Sequence, residues 1–335
     1  FNRLVLAGLG WRDVTLMRAY CKYLRQAAIA FSQSYMEQTL CNNAEITKSI
    51  VKLFHLRHDP AFTGDRVAGA ALLIEKIEKA LEGVTNLDDD RILRRYVNAV
   101  VNTLRTNFFQ PSQGKNAGSG SVKDYISFKL DSSKIEELPL PRPTVEVSVY
   151  APRMEGIHLR GGKVARGGIR WSDRKEDFRT EILGLVKAQT VKNAVIVPVG
   201  SKGGFVVKRP PAGRAEFLAE GIECYKILMH GLLDLTDNIV ADSAETHHIE
   251  PQPLVVRHDE DDPYLVVAAD KGTATFSDTA NAIAIDYRFW LGDAFASGGS
   301  AGYDHKAIGI PPRGAWALVK RHFRELGSDI QATDF

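Results

Sequence analysis

Residues 166–208, RGGIRWSDRKEDFRTEILGLVKAQTVKNAVIVPVGSKGGFVVK, decide the fold. Within them, 176–192 has helical spacing and 194–199 is a short apolar run suited to a buried strand. The pattern continues on both sides. Upstream, 125–130 and 145–150 are alternating and β-branched enough to be strands. Downstream, 217–235 reads as a helix, 254–256 and 264–268 as buried strands, and 277–290 and 313–326 as helices. The last of these carries Trp316, Val319, Phe323 and Leu326 on one face. Strands alternating with helices predict the α/β class with a mostly parallel sheet.

The same stretch sets cationic centres at Arg166/Arg170, Lys192 and Lys202 among paired glycines and apolar runs. Paired glycines let backbone approach a ligand closely. Cations around such a place suit a small dicarboxylic acid gripped at both ends. A lysine pressed between glycines and an apolar strand is readily desolvated, which favours its neutral form and fits acid–base work.

The first third is helical in pattern. Leu16, Tyr20, Leu24, Ala28, Phe31 and Tyr35 form an amphipathic stripe, and Ile92, Tyr96, Val97, Val100, Val101 and Leu104 form another. Asp88–Asp90 sit where a helix N-terminus favours negative charge. A Gly/Ser/Asn-rich loop at 111–122 marks the best boundary. The division expected is a helical segment at 1–110, a linker with the first strands at 111–145, and an α/β domain at 146–335, which the resemblance given below implies is the substrate-binding catalytic domain.

With 335 residues, 44% hydrophobic and 25% charged, the chain has apolar mass for a substantial core. A net charge of +2 gives no reason to expect nucleic acid or an anionic membrane as partner. Cys21, Cys41 and Cys224 are odd in number and form no CxxC, which fits a reducing cytoplasm better than a disulfide framework or a zinc site. The chain opens on Phe1 and reads as a piece of a larger protein. No GxGxxG follows a strand and opens a helix, so no dinucleotide-binding half is visible.

Four blocks carry a family resemblance: ARGGIRWSDR (165–174), KAQTVKNAVIVPVGSKGGF (187–205), VRHDEDDPYLVVAADKGTATFSD (256–278) and FWLGDAFASGGSAGYDHKAIGI (289–310). In collinear order over residues 120 to 335 the chain resembles the large, NAD-specific bacterial glutamate dehydrogenases. It resembles more distantly the small glutamate dehydrogenases. The resemblance implies a substrate domain of amino-acid dehydrogenase type and reversible oxidative deamination of L-glutamate to 2-oxoglutarate and ammonium. It also implies NAD as cofactor, a homo-oligomer, and a cytoplasmic place in glutamate catabolism.

The resemblance further implies roles for single residues. Lys202, in GSKGG, falls on the catalytic lysine that helps activate the attacking water, and Asp270, in AADKGT, on the aspartate that exchanges protons with the substrate amine. Lys192 matches the lysine that binds the α-carboxylate; its ordinary reading is a helix-terminal lysine. Arg166 stands where small enzymes carry a lysine that holds the side-chain carboxylate, and Arg170 or Lys163 could share that role. Gly168 and Ala269 would offer backbone to the substrate. Gly299 and Ser300 would combine architecture with cofactor-side contact.

Rival readings carry less. His247, His248 and His258 beside residues 259–262 fit no standard zinc or calcium spacing, so no metal is expected. GSKGG does not meet GxxxxGK[ST], the phosphate-cradling pattern. The serious alternative is a substrate-binding and oligomerisation module, inactive without a nucleotide-binding domain.

Overall fold

The computed structural model describes residues 4–5, 8–27, 29–112, 121–192, 199–243, 245–302 and 308–332, with backbone only at 190–192 and 310–311. Helices α1 (Trp11–Gln26), α2 (Gln33–Asn42), α3 (Ala44–His58), α4 (Arg66–Leu81) and α5 (Leu87–Val101) come first. The stripe at 16–35 is interrupted between α1 and α2, because Ser32 caps α2 by accepting from the Tyr35 amide at 3.2 Å. At α5 the Asn86 side chain accepts from the amides of Asp88 and Asp89 at 2.9 and 3.0 Å, with three aspartates in the first turn.

The main sheet contains β1 (Thr103–Thr106), β2 (Ile126–Leu130), β3 (Val145–Tyr150), β4 (Met154–Arg160), β5 (Ala165–Trp171), β6 (Val199–Val207), β9 (Val266–Ala269) and β10 (Ala296–Ser297). Their spatial order is β1-β2-β3-β4-β6-β5-β9-β10, and a separate hairpin joins β7 (Asn238–Ala241) to β8 (His247–Glu250). Strands β1 to β4 form an antiparallel meander, and β6 pairs antiparallel with β4. From β6 onward, through β5, β9 and β10, every pairing is parallel. Helices α6 (Phe178–Lys192), α7 (Arg214–Leu233), α8 (Ser277–Asp286) and α9 (Ile310–Glu325) follow, with short 3-10 turns at Gly292–Ala294 and Ile330–Ala332. The α/β class and the helical N-terminal segment are therefore present, and the parallel pairing lies in the half that holds the candidate site.

The sheet is covered on both faces. One core joins α1 to α6 with Ile126, Phe128, Ile157 and Leu159, and the other joins α7 and α8 with Val147, Val149, Ile169 and Phe205. Tyr20 of α1 stacks on Phe128 of β2 at 4.2 Å, so the helical segment and the sheet share a core. Arg179 at the start of α6 and Glu146 of β3 are fully buried together, and Tyr23 of α1 donates to the same carboxylate. That triad fixes the start of α6 over the sheet.

One expected strand is absent. Residues 254–256 form a turn and loop, because Leu254 adopts φ 58° and is 46% exposed. The neighbouring Pro251 and Pro253 supply no amide to a ladder. The strand expected at 194–199 lies outside the described residues except at Val199, where β6 begins and runs on to Val207.

Candidate active site

Lys202 lies in the middle of β6, opposite Leu159 of β4, so GSKGG is extended strand and not a turn. Gly200, Lys202 and Gly204 alternate onto the face covered by α6. A Cβ at Gly204 would stand 2.5 Å from Ile182 Cδ1, which shows how closely the helix approaches. The helix thereby shields the lysine stem, leaving its side chain 15% exposed.

Asp270 follows the last residue of β9 and meets Lys202 across the intervening β5. Lys202 Nζ donates to Asp270 Oδ2 at 2.6 Å. The other oxygen, Oδ1, accepts from Arg170 Nη2 at 3.3 Å and from the Lys271 amide at 2.7 Å. Burial pushes the Asp270 carboxyl up, but hydrogen bonds from Lys202 and Lys271 and the charges of Lys202 and Arg170 outweigh it, holding it below the usual range. The ionised carboxylate is thus the resting form.

One glycine makes this crossing possible. Gly168 of β5 is in register with Ala268, and a Cβ there would lie 2.9 Å from Ala269 O and 3.1 Å from Asp270 Cβ. Any side chain at 168 would push the end of β9, and Asp270 with it, away from Lys202. Ala269 pairs with Ile169 and is exposed.

The two arginines have different surroundings. Arg170 is held internally: besides Asp270, its Nη1 donates to Glu181 Oε1 at 3.0 Å. Glu181 Oε2 in turn accepts from Ser172 Oγ at 2.6 Å. Burial works against the Arg170 charge, yet Glu181 and Asp270 stabilise it and raise its pKa. Arg166, at the start of β5 and in register with Gly200 and Val266, is exposed and has no ion pair among the described residues. Lys163 is paired with Glu260. Lys192 is the last residue of α6, and its side chain lies outside the described residues.

Ser300 is engaged elsewhere: its amide and hydroxyl both donate to Asp278 Oδ1, at 2.7 and 2.9 Å, closing the loop over the first turn of α8. Gly299 packs in the same place, where a Cβ would meet Asp278 Oδ1 at 2.8 Å. The acidic run at 259–262 is also accounted for internally. Asp259 takes Arg105 and Lys129, and Asp262 takes Lys129 and Arg160, in a mostly buried ion network between the meander and the loop.

Glu181 and Ser172 were missed in the sequence. Both fall in the quoted stretch, but Glu181 is eleven residues beyond Arg170 and reaches it only because α6 folds back across β5. The only sequence signal was an acidic residue in the first turn of a helix, and a helix dipole alone accounts for that.

A family described as bacterial NAD-glutamate dehydrogenase, catalytic domain, matches residues 76–335, and glutamate dehydrogenase, helical motif 3, matches residues 1–60. The NAD-specific glutamate dehydrogenase of Pseudomonas aeruginosa is 58% identical over 337 residues, covering 99% of this chain and 20% of that protein. That of Mycobacterium tuberculosis is 57% identical over 348 residues, covering 100% of this chain and 21% of that protein. The Neurospora crassa protein of the same name is 26% identical over 325 residues, 89% of this chain and 28% of its own. The chain spans about a fifth of the length of its bacterial relatives. On a family match covering residues 76–335, with Lys202 and Asp270 paired inside it, the chain belongs to the bacterial NAD-glutamate dehydrogenase family.

Proposed function

We propose that the chain supplies the substrate-binding and acid–base residues for reversible, NAD-dependent oxidative deamination of L-glutamate to 2-oxoglutarate and ammonium. The observation that carries this reading is the 2.6 Å contact between Lys202 Nζ and Asp270 Oδ2 across parallel strands, with an exposed Arg166, without an ion pair among the described residues, on the neighbouring strand. The substrate's side-chain carboxylate is taken by Arg166, whose guanidinium can grip it with two parallel bonds. Its α-carboxylate is taken by Lys192.

Lys202 and Asp270 then form a proton path. The Asp270 carboxylate accepts a proton from the substrate ammonium, so the nitrogen lone pair can form the imine as hydride leaves Cα. Lys202 orients the water that attacks the imino carbon and stabilises the developing oxygen charge. The short Lys202–Asp270 contact lets a proton pass between them without bulk water. Arg170 stays on Asp270 and Glu181 as an internal brace, leaving Arg166 as the direct contact with substrate.

NAD, in the relatives' names, is proposed as the hydride acceptor. The described residues fit the substrate side of the reaction and not the dinucleotide side. The two donors of Ser300 are engaged by Asp278, and no glycine-rich strand-to-helix turn is among the described elements.

One observation favours the second reading, a module that works only when joined to another body. Helix α9 leaves Trp316, Val319 and Leu326 48%, 39% and 63% exposed, an apolar face without cover among the described residues. Homo-oligomeric assembly is part of the same proposal. Among the described residues no helix is long and apolar enough to cross a membrane.

Calorimetric titration of 2-oxoglutarate and L-glutamate into the chain tests the reading, with Lys192→Ala and Arg166→Ala alongside. Binding that is lost in both variants supports a carboxylate site on this chain. Absence of binding to a folded sample supports the module instead.

A further inference from the structure

We propose that Glu181 is a positioning residue for the reaction: it holds one end of the Arg170 guanidinium so that the other end braces the Asp270 carboxylate. The inference rests on the functional reading above. It extends that reading to a residue on α6 that touches neither Lys202 nor Asp270.

The geometry is a chain of four contacts. Ser172 Oγ accepts from the Arg174 amide at 3.1 Å and donates to Glu181 Oε2 at 2.6 Å. Glu181 Oε1 takes Arg170 Nη1 at 3.0 Å, and Arg170 Nη2 reaches Asp270 Oδ1 at 3.3 Å. The members are 16%, 20% and 15% exposed at Glu181, Arg170 and Asp270, so solvent is a poor substitute for any of them. Ser172 itself is fixed, because its amide donates to Phe205 O at 2.8 Å.

Asp270 needs this brace because its two oxygens have separate duties. Oδ2 is on Lys202 and Oδ1 is on Arg170 and the Lys271 amide. Holding both oxygens fixes the rotation of the carboxylate about Cβ–Cγ, and hence the direction in which it offers a lone pair to the substrate nitrogen. The Arg170 contact is the longest of the three, and Arg170 Nε is buried without a partner among the described residues. Without Glu181 the guanidinium has two unsatisfied edges and can rotate away from Asp270. Charge points the same way: Lys202, Arg170, Asp270 and Glu181 cancel in formal charge, so removing Glu181 also leaves an excess cation beside the ammonium product.

The test is a double-mutant cycle on kcat in a full-length enzyme carrying this sequence. Glu181→Ala should lower kcat about ten- to a hundredfold through misplacement of the reacting carboxylate, with KM for glutamate moving less than about threefold. Glu181→Gln, whose carbonyl oxygen keeps the acceptor for Arg170 while its amide can only donate to Ser172 Oγ, should recover part of that loss. In an Arg170→Met background, Glu181→Ala should cost no more than about a further twofold, because the residue acts through Arg170. A merely structural role would lower the melting temperature and leave kcat of the folded fraction unchanged. If Glu181→Ala does not fold, Ser172→Ala carries the same cycle, with an expected loss of about three- to tenfold that vanishes in Arg170→Met.

Two results overturn the inference: kcat within about threefold of wild type in Glu181→Ala, or losses that multiply undiminished with Arg170→Met. Asp270→Asn, measured in parallel, separates this failure from that of the functional reading. If that variant still turns over glutamate at near wild-type rate, the assignment of Asp270 falls and the role of Glu181 falls with it. If it is inactive while Glu181→Ala is normal, only the present inference fails.

Discussion

Replacing Glu146 by Gln tests how the catalytic elements are held. Glu146 and Arg179 are both 0% exposed, with Arg179 Nε and Nη2 on Glu146 Oε2 at 3.0 and 2.7 Å. Tyr23 of α1 donates to the other carboxylate oxygen, and Arg179 Nη1 is already buried without a partner. Removing the negative charge leaves a guanidinium in a dry interior facing a neutral amide, a loss of about 3–5 kcal/mol. Against a total stability of roughly 5–15 kcal/mol this is a large fraction. The double replacement Glu146→Leu with Arg179→Met removes both charges, and should cost less than Glu146→Gln alone. Urea unfolding followed by far-ultraviolet ellipticity and by tryptophan fluorescence measures all three proteins. Because the triad joins α1, β3 and α6, both probes should report one transition. A loss under about 1 kcal/mol, or helices melting ahead of the sheet, would refute the view that this pair seats α6 and its Glu181.

Two glycines give opposite expectations. A Cβ at Gly167 would fall 1.5 Å from the Ser201 carbonyl oxygen, which moves only if β5 and β6 separate, so Gly167→Ala should cost about 3 kcal/mol or more in urea unfolding. Gly184, inside α6 with nothing within 4 Å of its Cβ position, should gain about 0.5–1 kcal/mol as Ala by the same assay. His158 is 1% exposed with both ring nitrogens unpartnered among the described residues, and burial pushes its pKa down to about 3 from 6.5. Below pH 6.5 the unfolded chain takes a proton that the folded chain refuses, so stability falls toward pH 3 by up to about 1.4 kcal/mol per unit. His158→Leu should flatten that part of the stability–pH curve. An unchanged slope would mean that His158 is protonated in the native state.

Much of the architecture was legible because periodicity reports which face is buried. The helix at 176–192 and the strands at 125–130 and 145–150 emerged within two residues of their expected bounds. Strands β4 and β5 carried no clean signal. MEGIHLR is buried at every position and ARGGIRW holds two glycines, so neither alternates. The strand expected at 254–256 failed for a local reason, since a left-handed Leu254 between prolines and a loop anchored by buried ion pairs overrides an apolar triplet.

The candidate site was legible as residues but not as partners. Lys202 and Asp270 were named from the blocks that contain them, yet 68 residues separate them and only the β6-β5-β9 order brings them together. Arg166 and Arg170 look equivalent in RGGIR, four residues apart. Helix α6 distinguishes them by presenting Glu181 to Arg170, while Arg166 is exposed and has no ion pair among the described residues. Ser300 looked available in a glycine-rich loop, but the first turn of α8 supplies Asp278 to hold it.

Lys202, paired with Asp270, is proposed to perform the acid–base chemistry of glutamate deamination. Its most direct test is the initial rate of L-glutamate-dependent NAD reduction by a full-length enzyme carrying Lys202→Ala. The expected result is a fall in kcat of about 10²–10⁴-fold with the fold intact by circular dichroism. A rate within about tenfold of wild type would contradict it, because a group on the proton path could not then be dispensable.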